Sequence, residues 1–474
     1  MAPMTVLAVI AAYFVMMILL SRLSRRGGND FFGTRKTPWP LVAIAMIGGV
    51  MSGVTFVSVP GMVGTSGMGY LQMNLGFMAG YVVIAFVLIP LYYRLQVVSI
   101  YEYLDRRFGL RSHRTGAWFF FISKMLGASV RLFLVCLIEQ MLLFGPLGLP
   151  FAVNVLLNVA VVFAYTFRGG VRAVIWTDIL KTACMVVAVV LTLVFVAREL
   201  GLSLPALGDA VSRSEMSRVF FFDDFKHPQF FWKQFLGGLF TVVGMTGLDQ
   251  DMMQRALNCT DFRSSQKNMM VSTVLQTIVV ALFLFLGAVL YLYADAAGIS
   301  ERGDLLFPAV ATSPQLPAAV GILFVLGLVS AAYGAGGSAL TALTTSFTVD
   351  ILGAAKSERT RRRVHAAMAA GMVLTILIFN ALNSTSAVDA VYKIASYTYG
   401  PLLGLFAFGI FSQRQVRDRL VPLVAVVAPL LCLLLQLNSA AWFAGYTFSY
   451  EILPLNAILT VFGLLCISKR KKIK

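Results

Sequence analysis

Charge is scarce in this chain. Only 12% of its 474 residues are Asp, Glu, Lys or Arg, while 59% are hydrophobic. An ordinary soluble domain carries about 25% charged residues, so no water-soluble fold could cover so much apolar surface. Histidine is scarcer still, with three in the chain, and the five cysteines (Cys136, Cys184, Cys259, Cys432, Cys466) stand far apart. Neither makes a metal-ligand spacing, and the cysteines make no disulfide framework. There is no Walker motif and no soluble stretch large enough to hydrolyse ATP; the longest hydrophilic segment runs from Leu202 to Phe230. His, Cys and paired acids do not converge on one place, which argues against an enzyme.

What is present is long apolar runs without two-residue alternation, such as Thr273 to Tyr293, in a chain of mean hydropathy +0.83. Inside lipid only helices and closed barrels satisfy every backbone group, and such runs select helices. An all-α integral membrane protein is expected. Its thirteen helices are placed near 4–21, 39–62, 71–93, 115–143, 150–165, 174–200, 231–250, 268–296, 316–350, 364–383, 388–412, 420–437 and 449–468.

The net charge of +17 sorts between the loops: 28 of the 38 Lys and Arg residues fall in one alternating set, and Arg213, Arg218, Lys226 and Arg302 in the other. By the positive-inside rule the rich set, including the Lys469–Lys474 tail, is cytoplasmic. The expected orientation in the inner (plasma) membrane is N-terminus outside and C-terminus inside. The basic excess is then a topology signal, and nucleic-acid binding is excluded for want of a compact basic domain. Met1 to Leu20 lacks a basic leading segment and is followed by Arg22, Arg25 and Arg26, so it is expected to be an anchor, not a cleaved signal.

Polar groups within these runs are few and informative. Residues 47–56 read Ile-Gly-Gly-Val-Met-Ser-Gly-Val-Thr-Phe. Such a run either breaks the helix and frees carbonyls for an ion or solute, or packs small residues against a neighbour. Gly237-Gly238 and Gly244-Met245-Thr246-Gly247 interrupt the run five helices later, the pattern of an inverted repeat. Arg131 lies 16 residues into its helix, about 24 Å along it. It either binds an anionic group of a solute or pairs with an acid such as Glu139. Lys124 is read as structural. Asp178 is a helix-start acid or a cation or proton site; Asp249 and Asp251 are expected to end the seventh helix on the cytoplasmic side, with Asp251 paired to Arg255. Residues 330–341 form a small-residue face for close helix approach.

These pieces together resemble the sodium:solute symporter family, which carries sugars, proline and sialic acid on a LeuT-type fold. The resemblance runs through Asp30-Phe31-Phe32, Ser52-Gly53-Val54-Thr55-Phe56 with Val59-Pro60, and Ser99-Ile100-Tyr101-Glu102-Tyr103-Leu104 with Arg107-Phe108-Gly109. It continues through Gly169-Gly170 with Ile175-Trp176-Thr177-Asp178, Gln250-Asp251 with Gln254-Arg255, and Phe347 with Asp350. It implies a core at 38–412 built of two repeats, 38–200 and 229–412. Around it stand one extra N-terminal helix in 1–37 and two extra C-terminal helices in 413–474. It further implies a sodium ion held by carbonyls of Gly48, Met51 and Ala331, and solute contacts from Ser52, Thr55, Tyr70 and Asn74. In the sialic-acid carriers an arginine at the position of Arg131 meets the solute carboxylate, and a second sodium uses the acid matching Asp178 with hydroxyls near Ser338.

The departures bear on coupling. The family's paired hydroxyls are replaced by Gly334 and Ala335, and the next ligand position is Gly337. The expected function is therefore alternating-access symport of a small, anionic, hydroxylated solute with weak sodium dependence or none. No cofactor beyond a possible Na+ is implied, and the partners are the solute and the lipid bilayer. A sodium-independent or proton-coupled carrier, with Asp178 as the proton site, is the rival within transport. A transporter-like sensor is the rival outside it; such sensors carry an added signalling domain, and the chain to Lys474 is expected to hold none.

Overall fold

The computed structural model describes residues 1–25, 39–95, 100–166, 171–257, 259, 261–353, 357–382 and 386–469. Fourteen principal helices follow in order: α1 Pro3–Arg25, α2 Trp39–Val50, α3 Gly53–Ser66, α4 Tyr70–Arg94, α5 Leu110–Phe144, α6 Phe151–Thr166 and α7 Val171–Glu199. Then come α8 Phe231–Val242, α9 Phe262–Ala297, α10 Ala318–Ile351, α11 Glu358–Leu382, α12 Ala387–Phe411, α13 Val421–Trp442 and α14 Ile452–Cys466. Each apolar run of the sequence falls on one of these helices, with 39–62 divided between α2 and α3. Among the described residues, eight helices are long and apolar enough to cross a membrane. The bent pair of α2 and α3 makes a ninth candidate.

The break between α2 and α3 follows from local chemistry. Glycine costs about 1 kcal/mol in a helix interior, and Ser and Thr hydroxyls compete for backbone groups. Met51 N–H still closes onto the Ile47 carbonyl, but Ser52 N–H turns to Thr55 Oγ1 at 3.5 Å. The two halves meet at 60°.

The second interruption differs from its expected form. α8 runs into a π-helical turn, Val243–Gly247, and the chain leaves helical geometry at Leu248 and Asp249 before the short helix Gln250–Leu257. Gly237 and Gly238 lie inside α8 as packing positions instead. A Cβ on Gly238 would strike the Met73 carbonyl, and one on Gly76 would strike the Phe235 carbonyl, so α4 and α8 touch backbone to backbone.

Among the described residues, loops of the basic set contact one another. Arg107 donates to the carbonyls of Gly409, Ser412 and Arg414, and Asp418 accepts from Arg111 N–H and Ser112 N–H. Gln415–Val416 pairs antiparallel with Ser468–Lys469. Three basic loops therefore interlock. In the other set Met68 N–H donates to Arg218, Lys226 donates to Ala444, and the N-terminal amine of Met1 donates to Thr312.

Candidate functional site

Both interruptions open onto one cavity in the middle of the bundle. Gly49, Val50, Ser52 and Thr55 line it from the α2–α3 break, and Thr241, Met245, Thr246 and Asp249 from the end of α8. α4 contributes Tyr70 and Phe77, α5 contributes Lys124 and Arg131, and α7 contributes Lys181. α10 adds Gly334, Ala335 and Ser338, and α12 adds Tyr392 and Tyr399.

Three of the lining side chains are cationic, and their surroundings differ. Lys124 Nζ lies 2.9 Å from Asp249 Oδ2, both side chains being almost fully buried. Asp249 also accepts from Met252 N–H at 3.1 Å and from Tyr399 Oη at 3.4 Å. Sequence reasoning placed Asp249 at the cytoplasmic end of the seventh helix; the turn at Leu248 brings it to the cavity wall instead. Removing one partner of such a pair leaves a buried charge, at about 3–5 kcal/mol. Asp249→Asn or Lys124→Met alone is expected to lower the melting temperature in detergent strongly. Lys124→Met combined with Asp249→Asn should cost less than the sum of the two single changes. Simple additivity would show that the pair is not coupled.

Arg131 is half-buried in the cavity wall. Among the described residues no hydrogen bond or ion pair engages its guanidinium. Glu139, the acid on its own helix, does not pair with it: Asn158 Nδ2 donates to Glu139 Oε2 at 2.6 Å, Tyr333 Oη donates to Asn158 Oδ1 at 2.5 Å, and Glu139 Oε1 is buried without a hydrogen-bond partner among the described residues. The Glu139 alternative for Arg131 is thereby set aside.

The remaining expected residues divide by place. Ser52, Thr55 and Tyr70 line the cavity, and Tyr70 Oη lies 2.5 Å from Tyr392 Oη. Asn74 is buried outside the lining, where its amide donates to Thr277 Oγ1 at 2.7 Å. Gly48, Met51 and Ala331 are buried beside the lining, and Gly334, Ala335 and Ser338 are part of it. Asp178 is on α7, but its side chain lies outside the described residues, as do those of Asp251 and Arg255. Gly337 meets Tyr165: a Cβ there would overlap the phenol, whose hydroxyl donates to the Tyr333 carbonyl. Tyr165 thus fills the space that a hydroxyl side chain at 337 would need.

Sequence reasoning missed Thr241, Tyr392 and Lys181. Thr241 Oγ1 is buried and has no hydrogen-bond partner among the described residues, leaving a donor and acceptor at the cavity wall. A lysine within the apolar run of α7 was the available signal for Lys181. Among the described residues no group of three His, Cys, Asp or Glu could hold a metal.

The family model of the sodium:solute symporter family matches residues 31–418. The sodium/sialic acid symporter NanT of Aliivibrio fischeri is 25% identical over 438 residues, covering 86% of this chain and 82% of its own. The human sodium/iodide cotransporter is 24% identical over 406 residues, covering 83% and 62%. A substrate-bound, outward-open structure of a Na+-coupled sialic acid symporter superposes with a TM-score of 0.80 at 18% identity, over 98% of this chain and 99% of that one.

Proposed function

This chain belongs to the sodium:solute symporter family, and from that premise we propose that it carries a small, anionic, hydroxylated organic solute across the plasma membrane by alternating access. It is a membrane transporter and not an enzyme. The observation that carries the solute assignment is Arg131: a guanidinium in the cavity wall with no acid or carbonyl bound to it among the described residues. A guanidinium is a planar fork suited to a carboxylate. Ser52, Thr55, Tyr70 and Thr241 supply hydroxyls for a polyol body, while Asn74 serves the α4–α9 contact. Both named relatives carry anions, sialic acid and iodide, which supports the sign of the charge.

The test is a melting-temperature screen of the purified protein against sialic acid, smaller hydroxylated acids and the corresponding amides. A ligand of the native state raises the melting temperature. Acids should stabilise and their amides should not. Equal stabilisation by neutral amides would contradict the assignment.

In this reading the core comprises two inverted repeats, 38–200 and 229–412, whose interrupted helices face each other across the cavity. One helix precedes and two follow it, for thirteen crossings. The N-terminus lies outside and the C-terminal tail in the cytoplasm, a placement supported by the interlocking of the basic loops. With Cys466 changed to Ser, a cysteine introduced at Ala2 should react with an impermeant maleimide in intact cells. One at Ile473 should react only after permeabilisation. Labelling of residue 473 in intact cells would reverse the orientation.

A further inference from the structure

Lys181 is the cavity residue that solute recognition does not use. Its side chain is 1% exposed, and it lies on α7, which packs along both α2 and α10. In the cavity it shares the wall with Gly49, Val50 and Ser52 of the α2–α3 break and with Gly334, Ala335 and Ser338 of α10. An ammonium so deep in an apolar bundle is retained only where oxygens surround it. Lys181 and Ser338 are both engaged in polar or electrostatic contacts.

The wedge between the α2–α3 break and α10 is where the family's sodium is expected, and this inference rests on that reading of it. Three carbonyls, those of Gly48, Met51 and Ala331, are the oxygens left there once Gly334 and Ala335 stand where hydroxyls would be. Hard cations in oxygen cages take about six ligands or more, so three carbonyls leave sodium poorly coordinated. An ammonium has three N–H donors and no acceptor, so three carbonyls match it. The same two small residues that remove hydroxyls share the cavity wall with Lys181. We propose that the Lys181 ammonium takes the place of the sodium ion between the α2–α3 break and α10, so that the chain carries its own tethered cation and needs no exchangeable one.

The experiment compares melting temperatures of the full-length protein in sodium, ammonium and choline chloride at equal ionic strength, without solute. Four proteins are used: wild type, Lys181→Ala, Gly334→Ser with Ala335→Ser, and the triple combination. A cation that binds only the native state raises the melting temperature, and choline is too large to enter. Wild type and the serine pair should melt alike in all three salts, because the tethered ammonium fills the wedge. Lys181→Ala should be stabilised by ammonium over choline, and the triple variant by sodium over choline. Lys181→Met keeps the volume of the stem without the charge and replaces the alanine variant if that one fails to fold. Two results would overturn the proposal. One is a sodium response in the serine pair, with Lys181 retained, as large as in the triple variant. The other is a folded Lys181→Ala or Lys181→Met that melts alike in all three salts. Since no solute is present, failure of the anionic-solute reading leaves these outcomes unchanged.

Discussion

Arg131→Ala is expected to abolish measurable solute binding, and Arg131→Lys to weaken it by about tenfold or more. The reason lies in how the cavity's charges are disposed. Lys124 is held by Asp249 at 2.9 Å, and Glu139 is occupied by Asn158 at 2.6 Å. Among the described residues neither acid pairs with Arg131, and a solute anion is the partner proposed to complete it. A hydrogen bond to a charged group contributes about 1.5–3 kcal/mol, and a two-pronged contact is lost entirely in alanine. Lysine keeps the charge but presents a point donor in place of a planar fork. Methyl esters of the bound acid should compete poorly against wild type, and neither acid nor ester should bind Arg131→Ala measurably. If the ester competes with wild type as well as the acid does, Arg131 has a structural role only.

Sodium should leave the wild-type protein nearly unaffected. Solute affinity is expected to change by less than about twofold when sodium replaces choline, because linkage requires a bound ion to move an affinity. Two positions of α10 decide this. Gly334 and Ala335 line the cavity without side-chain oxygens, and Gly337 has the Tyr165 phenol against it. A steep, saturable sodium dependence of solute binding in the unmodified protein would contradict this reading. It would mean that water or a displaced oxygen, for example that of Ser338 or Thr341, completes a cation cage.

Much of this architecture could be read from the residues, for physical reasons that also mark where reading stopped. Hydrophobic length alone located the helices, since lipid demands about 20 apolar residues per crossing. The glycines at 48, 49 and 53, with Ser52 and Thr55, located the break in α2–α3, because local propensity decides it. Asp249 was misplaced because the turn at Leu248 takes it off the helix and brings it to Lys124 of α5 and Tyr399 of α12. Gly237 and Gly238 looked like a second break but serve the α4–α8 crossing, since small residues do either job and only the neighbour distinguishes them. Lys181 went unread for a related reason. Its significance depends on α2 and α10 converging on it, and that is a fact of three helices and not of one segment.

The central claim is that this chain moves an anionic solute without a sodium gradient. Uptake of labelled sialic acid, or of whichever acid the melting screen identifies, into proteoliposomes preloaded with unlabelled solute tests it most directly. Exchange should proceed at the same rate with sodium or choline as the bulk cation, and should vanish with Arg131→Ala. Exchange that requires sodium, or that persists at the wild-type rate in Arg131→Ala, would contradict the account.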